Sequence, residues 1–233
     1  MKWFITFGAG SHNYYEAGNR LIKQANSVEL FDKTTLYTDS YLNNDIDFWN
    51  QHSNFITNNP RGYGYWLWKP YIIKKTMEQM QDGDILLYLD CGCEIDKNKK
   101  GEISEFLEFV KNENIIGTYT KTDKEYNKMD LIKKLNMLDT KYIDEPQRQA
   151  GAILFCVCDK TRNIVNEWYE LACDYHNIDD TPSISVNLSC FIEHRHDQSI
   201  YSLLKKKYDV YSYKYSLFDC ITYNRNKSGN SRI

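Results

Sequence analysis

Residues 83–94 have the sequence GDILLYLDCGCE, and within it Ile85–Leu89 (ILLYL) is the strongest strand signal in the chain. A continuous apolar run of this length is typical of a strand that is buried on both faces of a parallel sheet. The run leads directly into Asp90, a carboxylate that is costly to bury without a partner. We therefore expect this strand at the centre of a sheet, with Asp90 at its open end.

Shorter apolar runs alternate with helical periodicity on both sides of this strand. The alternation predicts an α/β protein with one Rossmann-type, mostly parallel central sheet flanked by helices, and ligands bind beyond the carboxyl ends of the strands in such sheets. The other strands are predicted at Trp3–Phe7, Thr34–Thr38, Ile115–Tyr119, Ala150–Cys158 and Val210–Tyr213. Helices are predicted at Tyr14–Asn26, from Pro70 to a cap at Gly83, and at Ile103–Lys111, Met129–Leu138, Thr161–Ala172 and Gln198–Lys207.

The bulk composition fits a single domain spanning residues 1–233, with a candidate flexible tail at about 223–233. A net charge of -3 argues against a dedicated nucleic-acid-binding protein, which would carry a basic surplus. No apolar run is long enough to span a bilayer, and no cationic start leads into an apolar stretch. The seven cysteines show no zinc-binding spacing. The expected location is therefore the cytoplasm.

Residues 61–70, RGYGYWLWKP, combine four aromatic rings with Arg61 and Lys69 just before a helix. Such a segment could stack a base or a sugar and hold a diphosphate. The alternative is a hydrophobic staple whose cations only cover apolar surface.

Residues 193–199, EHRHDQS, are the densest group of ionisable side chains and also precede a helix. Asp197 could cap that helix, or Asp197 and Gln198 could face a reacting carbon while a histidine contacts a metal or a phosphate. For Asp90 likewise, a turn cap competes with a role as ligand of a hard cation such as Mg²⁺ or Mn²⁺. These alternatives remain open from the residues alone.

Several of these segments resemble motifs of known sugar-transferring enzymes. Asp90-Cys91-Gly92 resembles a degenerate D-x-D motif of GT-A glycosyltransferases, which binds the donor diphosphate through a divalent metal. Residues 149–155 (QAGAILF) and 197–200 (DQSI) are similar to the N-A-G-V-x-L and D-Q-D-I motifs of the retaining family 8 enzymes. Residues 62–70 resemble a segment of small bacterial and giant-virus glycosyltransferases. Together the motifs cover roughly residues 3–207.

This resemblance implies a hexosyltransferase that takes a nucleotide-sugar, with UDP favoured, and an acceptor hydroxyl on a glycan. The expected donor-binding residues are Thr6, Phe7, Gly8, Arg61, Trp66, Lys69, Asp90, Cys91, Gly92, Arg225 and Lys227. The expected acceptor-binding residues are Gln149, Ala150, Gly151 and His196, and the expected catalytic residues are Asp197 and Gln198. Mn²⁺ or Mg²⁺ would be held by Asp90, with Glu94 and His196 as further ligand candidates because Gly92 replaces the second acid of the motif.

Other functions stay open at this point. The resemblance favours retention of the anomeric configuration, whereas inversion would need a general base such as Glu145, Glu193 or Asp197. A nucleotidyltransferase also places acids at strand ends, although Gly8-Ala9-Gly10 is a poor phosphate loop. A glycan-binding module without catalysis would use the aromatic segment alone.

Overall fold

The computed structural model describes residues 1–210 and 214–233. The strands are β1 (Lys2–Phe7), β2 (Lys33–Tyr37), β3 (Ile85–Leu89), β4 (Cys93–Ile95), β5 (Ile115–Thr122), β6 (Pro146–Cys156) and β7 (Ile221–Tyr223). The helices are α1 (His12–Ser27), α2 (Asp39–Asn44), α3 (Ile46–Asn58), α4 (Gly62–Tyr65), α5 (Trp68–Met77), α6 (Lys100–Glu113), α7 (Asp123–Tyr126), α8 (Met129–Lys134), α9 (Thr140–Ile143), α10 (Asp159–Cys173) and α11 (His196–Lys207). Short 3₁₀ turns lie at Lys97–Lys99, Tyr175–Asn177 and Leu217–Asp219.

The main sheet has five strands in the order β2-β1-β3-β6-β5, so β3 is its central strand. β1 is parallel to β2 and β3, whereas β6 is antiparallel to both of its neighbours. Four strands therefore run one way and β6 the other, which confirms the predicted α/β class with a mostly parallel sheet. Because β6 is reversed, its early residues meet the end of β3: the Asp90 amide donates to the Gly151 carbonyl at 2.8 Å.

The side chains of β3 alternate between two hydrophobic clusters, one on each face of the sheet. Leu86 and Tyr88 join the larger cluster with residues of α5, α10 and α11. Ile85, Leu87 and Leu89 join the smaller cluster with residues of α1 and α6. All five are at most 2% exposed, and burying a side chain of this size contributes about 1.5–3 kcal/mol. The strand is thus anchored on both faces, which gives the residue after it a rigid support.

The helix after the aromatic segment differs from its prediction at both ends. It starts at Trp68, so that Pro70 lies in its first turn, where helical N–H groups have no intrahelical acceptor. It ends at Met77, and the predicted cap at Gly83 is wrong. Gly83 instead forms the turn before β3, with a φ of 86°.

Other differences concern short or distant elements. β6 begins at Pro146, earlier than predicted, and α8 ends at Lys134. α2 and α3 were not predicted, and neither was the two-stranded sheet in which β4 and β7 pair. The strand predicted at Val210–Tyr213 falls on residues outside the described ranges. Within those ranges, no helix has both the length and the apolar character needed to cross a membrane.

Candidate active site

A cleft of about 560 Å³ opens at the edge of the sheet where β1 and β3 end. This is the edge at which ligands bind in open α/β sheets. Aromatic rings, cations, carboxylates and small residues line it: Phe7, Tyr14, Tyr63, Trp66, Trp68 and Tyr223; Arg61, Arg225 and Lys227; Asp90 and Glu193; and Ala9, Gly10, Pro60, Gly62, Cys91 and Gly92.

A buried lysine of α5 connects two of the predicted acids. Lys69 Nζ lies 3.3 Å from Asp90 Oδ1 and 3.0 Å from Asp197 Oδ2, and its side chain is 3% exposed. The Tyr88 hydroxyl donates to the same Asp90 oxygen at 2.6 Å. Burial opposes the charge on Lys69, but the two carboxylates outweigh it and raise the lysine pKa. A charged lysine thus stands behind the cleft, while the Asp90 side chain, 29% exposed, faces it.

Asp197 is the buried acid of this cluster. Burial raises its pKa to about 6, against the attraction of Lys69. An unfolded aspartate titrates near 3.8. Between about pH 4 and pH 6 the folded chain therefore holds a proton that the unfolded chain has lost, so the stability gained from neutral Asp197 is present at low pH and is lost as the pH rises through 6.

Replacing Asp197 with asparagine is expected to remove this pH dependence. The comparison is the difference between the free energies of unfolding of the wild type and of Asp197→Asn. As the pH rises from roughly 3.5 to 6.5, the wild type should lose about 2–3 kcal/mol relative to the variant. Urea unfolding at a series of pH values measures the difference. A difference that stays constant or grows with pH would contradict the assignment.

The aromatic loop, residues 61–69, contributes a left-handed turn to the wall of the cleft. Positive φ values between 51° and 83° occur at Gly62, Tyr63, Gly64, Tyr65 and Trp66. For a non-glycine residue this conformation costs of order 1–3 kcal/mol. Packing holds it in place: the Trp68 ring stacks on Phe7 at 3.8 Å, and its Nε1–H donates to the Gly62 carbonyl at 2.9 Å. One wall of the cleft thus contains a strained backbone segment, a feature that is common at ligand sites.

β6 approaches Asp90 so closely that residue 151 has no room for a side chain. A Cβ on Gly151 would lie 2.5 Å from the Tyr223 hydroxyl and 2.8 Å from Asp90 Oδ2. Both of these residues line the cleft. Glycine at this position therefore fixes how near β6, the tail and Asp90 come to one another.

Gly151→Ala is expected to cost about 1–3 kcal/mol of stability, because the added methyl overpacks this contact. Gly101→Ala is the matched control, since a Cβ on Gly101 of α6 meets nothing within 4 Å. The control should stabilise the protein by about 0.5–1 kcal/mol, because alanine favours a helix over glycine. Urea unfolding measures both, and equal stability of the two variants would exclude the contact.

The C-terminal tail, residues 223–233, lies across the turn that follows β3. The Asn226 amide donates to the Gly92 carbonyl at 2.9 Å. A Cβ on Gly92 would lie 3.1 Å from Arg225 Cα, so tail backbone fills the space of the missing second acid. The tail is thus hydrogen-bonded to the fold.

Glu94 binds this tail rather than facing the cleft. Its fully buried carboxylate accepts hydrogen bonds from Asn226 Nδ2 at 2.9 Å, Ser231 Oγ at 2.9 Å and the Arg232 amide at 3.0 Å. Burial opposes its charge, but hydrogen bonds from the tail outweigh burial and lower the pKa to about 2.

The two histidines of residues 193–199 form hydrogen bonds with backbone groups. His194 Nδ1 accepts from the Lys128 amide at 3.1 Å, and His196 Nδ1 donates to the Ile178 carbonyl at 2.7 Å. Burial lowers the pKa of both rings, that of His194 to about 3. The His196 ring stacks on Tyr65 of the aromatic loop and is not among the residues that line the cleft.

Most of the predicted donor-binding residues meet at the cleft. Those that line it are Phe7, Arg61, Trp66, Asp90, Cys91, Gly92, Arg225 and Lys227. Three others lie behind it. Thr6 donates to the Leu89 carbonyl at 2.7 Å and joins β1 to β3, Gly8 packs against the start of α1, and Lys69 bridges the acids.

Three of the predicted acceptor-binding and catalytic residues, Gln149, Asp197 and Gln198, are not among the residues that line the cleft, and their side chains bond to other parts of the fold. The Gln198 side chain accepts from the Ala150 amide at 3.3 Å, and Gln149 accepts from a threonine of β5. Asp197 is separated from the cleft by Lys69. Because β6 is reversed, residues 149–151 lie just beyond the end of β3, and the backbone of Gly151 meets Asp90 there.

Nine of the lining residues were not among the predicted donor-binding, acceptor-binding or metal-binding residues, and five of these carry aromatic or charged side chains. Tyr63, Trp68 and Glu193 belong to segments that the sequence singled out, so the density of aromatic and charged residues there was a usable signal. Tyr14 and Tyr223 have no local signal, because α1 and the tail bring them to the cleft from opposite ends of the chain.

The predicted metal ligands do not form a metal centre. Asp90 Oδ1 is shared by Lys69 and Tyr88, Glu94 is held by the tail, and His196 bonds a backbone carbonyl. In residues 1–210 and 214–233, no three His, Cys, Asp or Glu side chains converge as metal ligands. The donor set therefore does not fit a divalent cation held by the protein itself.

No protein-family model and no curated protein matches the sequence. Three solved glycosyltransferases resemble the structure. Mouse xyloside xylosyltransferase 1 is 11% identical over 90% of this chain and 83% of its own, with a TM-score of 0.45. Galactosyltransferase LgtC, with donor and acceptor sugar analogues, is 18% identical over 88% and 70%, with a TM-score of 0.45. A glycosyltransferase involved in the glycosylation of the major capsid of PBCV-1 is 11% identical over 73% and 65%, with a TM-score of 0.38. With TM-scores below 0.5, these similarities do not indicate an activity.

Proposed function

We propose that this chain is a glycosyltransferase that moves a sugar from a nucleotide-sugar, with UDP favoured, to a hydroxyl of an acceptor such as a glycan. One observation carries the proposal. At the end of the central strand, the partly exposed carboxylate of Asp90 shares a cleft with several aromatic rings and with the cations Arg225 and Lys227. A nucleotide-sugar offers the matching parts: a flat base, an anionic diphosphate and a sugar rich in hydroxyls.

The cations and rings suit the nucleotide part of the donor. Charge-assisted hydrogen bonds from Arg225 and Lys227 would hold the diphosphate and stabilise the charge that it gains on leaving. Arg61 already forms an ion pair with Asp180 at 2.9 Å, so less of its positive charge is available to a diphosphate. The rings of Trp66 and Tyr14 offer flat apolar surfaces for the base.

Asp90 suits the sugar part of the donor. A carboxylate accepts hydrogen bonds from hydroxyls and so can orient the sugar for attack. The ammonium of Lys69, 3.3 Å behind it, offsets part of its negative charge, which reduces repulsion of the nearby diphosphate. Lys69 and Asp197 therefore act as positioning groups for Asp90.

In the transfer step, the bond between the anomeric carbon and the diphosphate oxygen breaks, and its electron pair leaves with the diphosphate. A bond forms between the same carbon and the acceptor oxygen. If configuration is retained, as the sequence resemblance favours, an oxygen of the leaving diphosphate takes the acceptor proton. If it is inverted, Glu193 is the exposed cleft carboxylate that can take it. The anomeric coupling in the NMR spectrum of the product decides between the two.

Thermal melting against a ligand panel tests the proposal. A nucleotide-sugar at about 100 times its Kd should stabilise the folded chain by about 2.7 kcal/mol. The same donors should be hydrolysed slowly, or transferred when a glycan acceptor is supplied. A response to nucleoside triphosphates only would indicate a nucleotidyltransferase, and a response to free glycans only would indicate a binding module. Either result would overturn the proposal.

A further inference from the structure

The C-terminal tail carries an inference that rests on the proposed function. We infer that Glu94 and Arg20 are positioning residues that lock the tail, so that Arg225 and Lys227 form a fixed wall for the donor diphosphate. This wall takes the place of a divalent cation held by a second acid.

Arg20 of α1 joins the tail to the turn after β3. Its side chain is buried, and one guanidinium nitrogen donates to the carbonyls of Asn226 at 3.1 Å and Ser228 at 2.9 Å. The other terminal nitrogen donates to the carbonyls of Cys91 at 2.7 Å and Cys93 at 2.8 Å. A single planar cation thus fixes two points of the tail against the two residues that flank position 92.

Glu94 fixes the tail through its side chains. The carboxylate accepts from Asn224 Nδ2 at 2.5 Å and from Asn226 Nδ2 at 2.9 Å. The two asparagines alternate with Arg225 and Lys227, so the anchored side chains face the fold and the cations line the cleft. Because of this alternation, one hydrogen-bonded segment of the tail presents two positive charges to the cleft.

At position 92 the tail lies tightly against the place of a second acid. Because a Cβ there would lie 3.1 Å from Arg225 Cα, an aspartate at position 92 would need the tail to shift. The chain instead has glycine, and Arg225 adopts a left-handed φ of 51° as it passes. The positive charge near the diphosphate then comes from side chains rather than from a metal ion.

The test compares ligands that differ in phosphate content. The nucleoside diphosphate that raises the melting temperature most, and the matching nucleoside, are titrated calorimetrically in the presence of EDTA. In Glu94→Gln and in the milder Asn224→Ala, the diphosphate affinity should fall about tenfold or more while the nucleoside affinity stays unchanged, because only phosphate contacts lose their support. Lys227→Ala should show the same loss at an unchanged melting temperature. Glu29→Gln, an exposed acid at the end of α1, should leave both affinities unchanged.

Three results would overturn the inference. An unchanged ratio of diphosphate to nucleoside affinity in both tail variants would show that Glu94 is only structural. Diphosphate binding by the wild type that requires added Mn²⁺ would show that the cations do not replace a metal. Failure of every nucleoside diphosphate to bind the wild type, with or without Mn²⁺, would instead remove the proposed function, and this inference with it.

Discussion

Lys69→Met is expected to lower the free energy of unfolding by about 3–5 kcal/mol at pH 8. The reason is that the ammonium lies 3.0 Å from the buried carboxylate of Asp197, and its removal leaves that charge without its cation in the protein interior. The loss should be smaller near pH 5, because burial raises the pKa of Asp197, the loss of Lys69 raises it further, and the carboxyl is then neutral at that pH. Urea unfolding at the two pH values measures both effects.

Two further variants isolate the cause. Lys75→Met removes a lysine from the same helix whose ion pair with Glu78 is at the surface, and it should cost less than about 1 kcal/mol. Lys69→Met combined with Asp197→Asn should recover much of the stability, because the unpaired charge is gone. A loss below that of Lys75→Met would show that the buried cluster does not stabilise the fold.

The centre of the fold was predictable because one local pattern decides it. Ile85–Leu89 is apolar throughout, and only a strand covered on both faces can bury every side chain of such a run. The direction of β6 was not predictable, because Ala150–Cys156 is just as apolar and would be buried equally well in either direction. Strand direction depends on the connections and on α11, which are properties of the whole chain.

The cleft was predictable where chemistry and position coincide. Asp90 follows a buried strand, and Arg225 and Lys227 lie in a segment without apolar residues to bury, so their charged groups remain available. Glu94 and His196 carry equally suitable ligand atoms, but tertiary contacts occupy those atoms: the tail binds Glu94, and the Ile178 carbonyl binds His196. Residue type shows which groups could act, whereas packing decides which of them reach the cleft.

Asp90→Asn is expected to lower kcat/KM for sugar transfer by about 10²–10³-fold while the fold is kept. A preorganised polar group at a reacting centre is typically worth this much. The fold should survive because the side chain is 29% exposed and the Tyr88 hydroxyl can still donate to the amide oxygen. Lys69 also keeps its ion pair with Asp197. Steady-state kinetics with the donor identified by melting, together with the melting temperature of the variant, measure both parts.

Asp82→Asn is the matched control, because Asp82 is an acid just ahead of β3 whose side chain is 64% exposed and pairs with Arg162 at 3.3 Å. It should leave kcat/KM unchanged, since this ion pair lies at the surface away from the cleft. If Asp90→Asn transferred sugar as fast as Asp82→Asn, the carboxylate at the end of β3 would not touch the donor. The charge at the end of the central strand would then serve only to hold Lys69, and the reacting sugar would have to be oriented from the Glu193 side of the cleft.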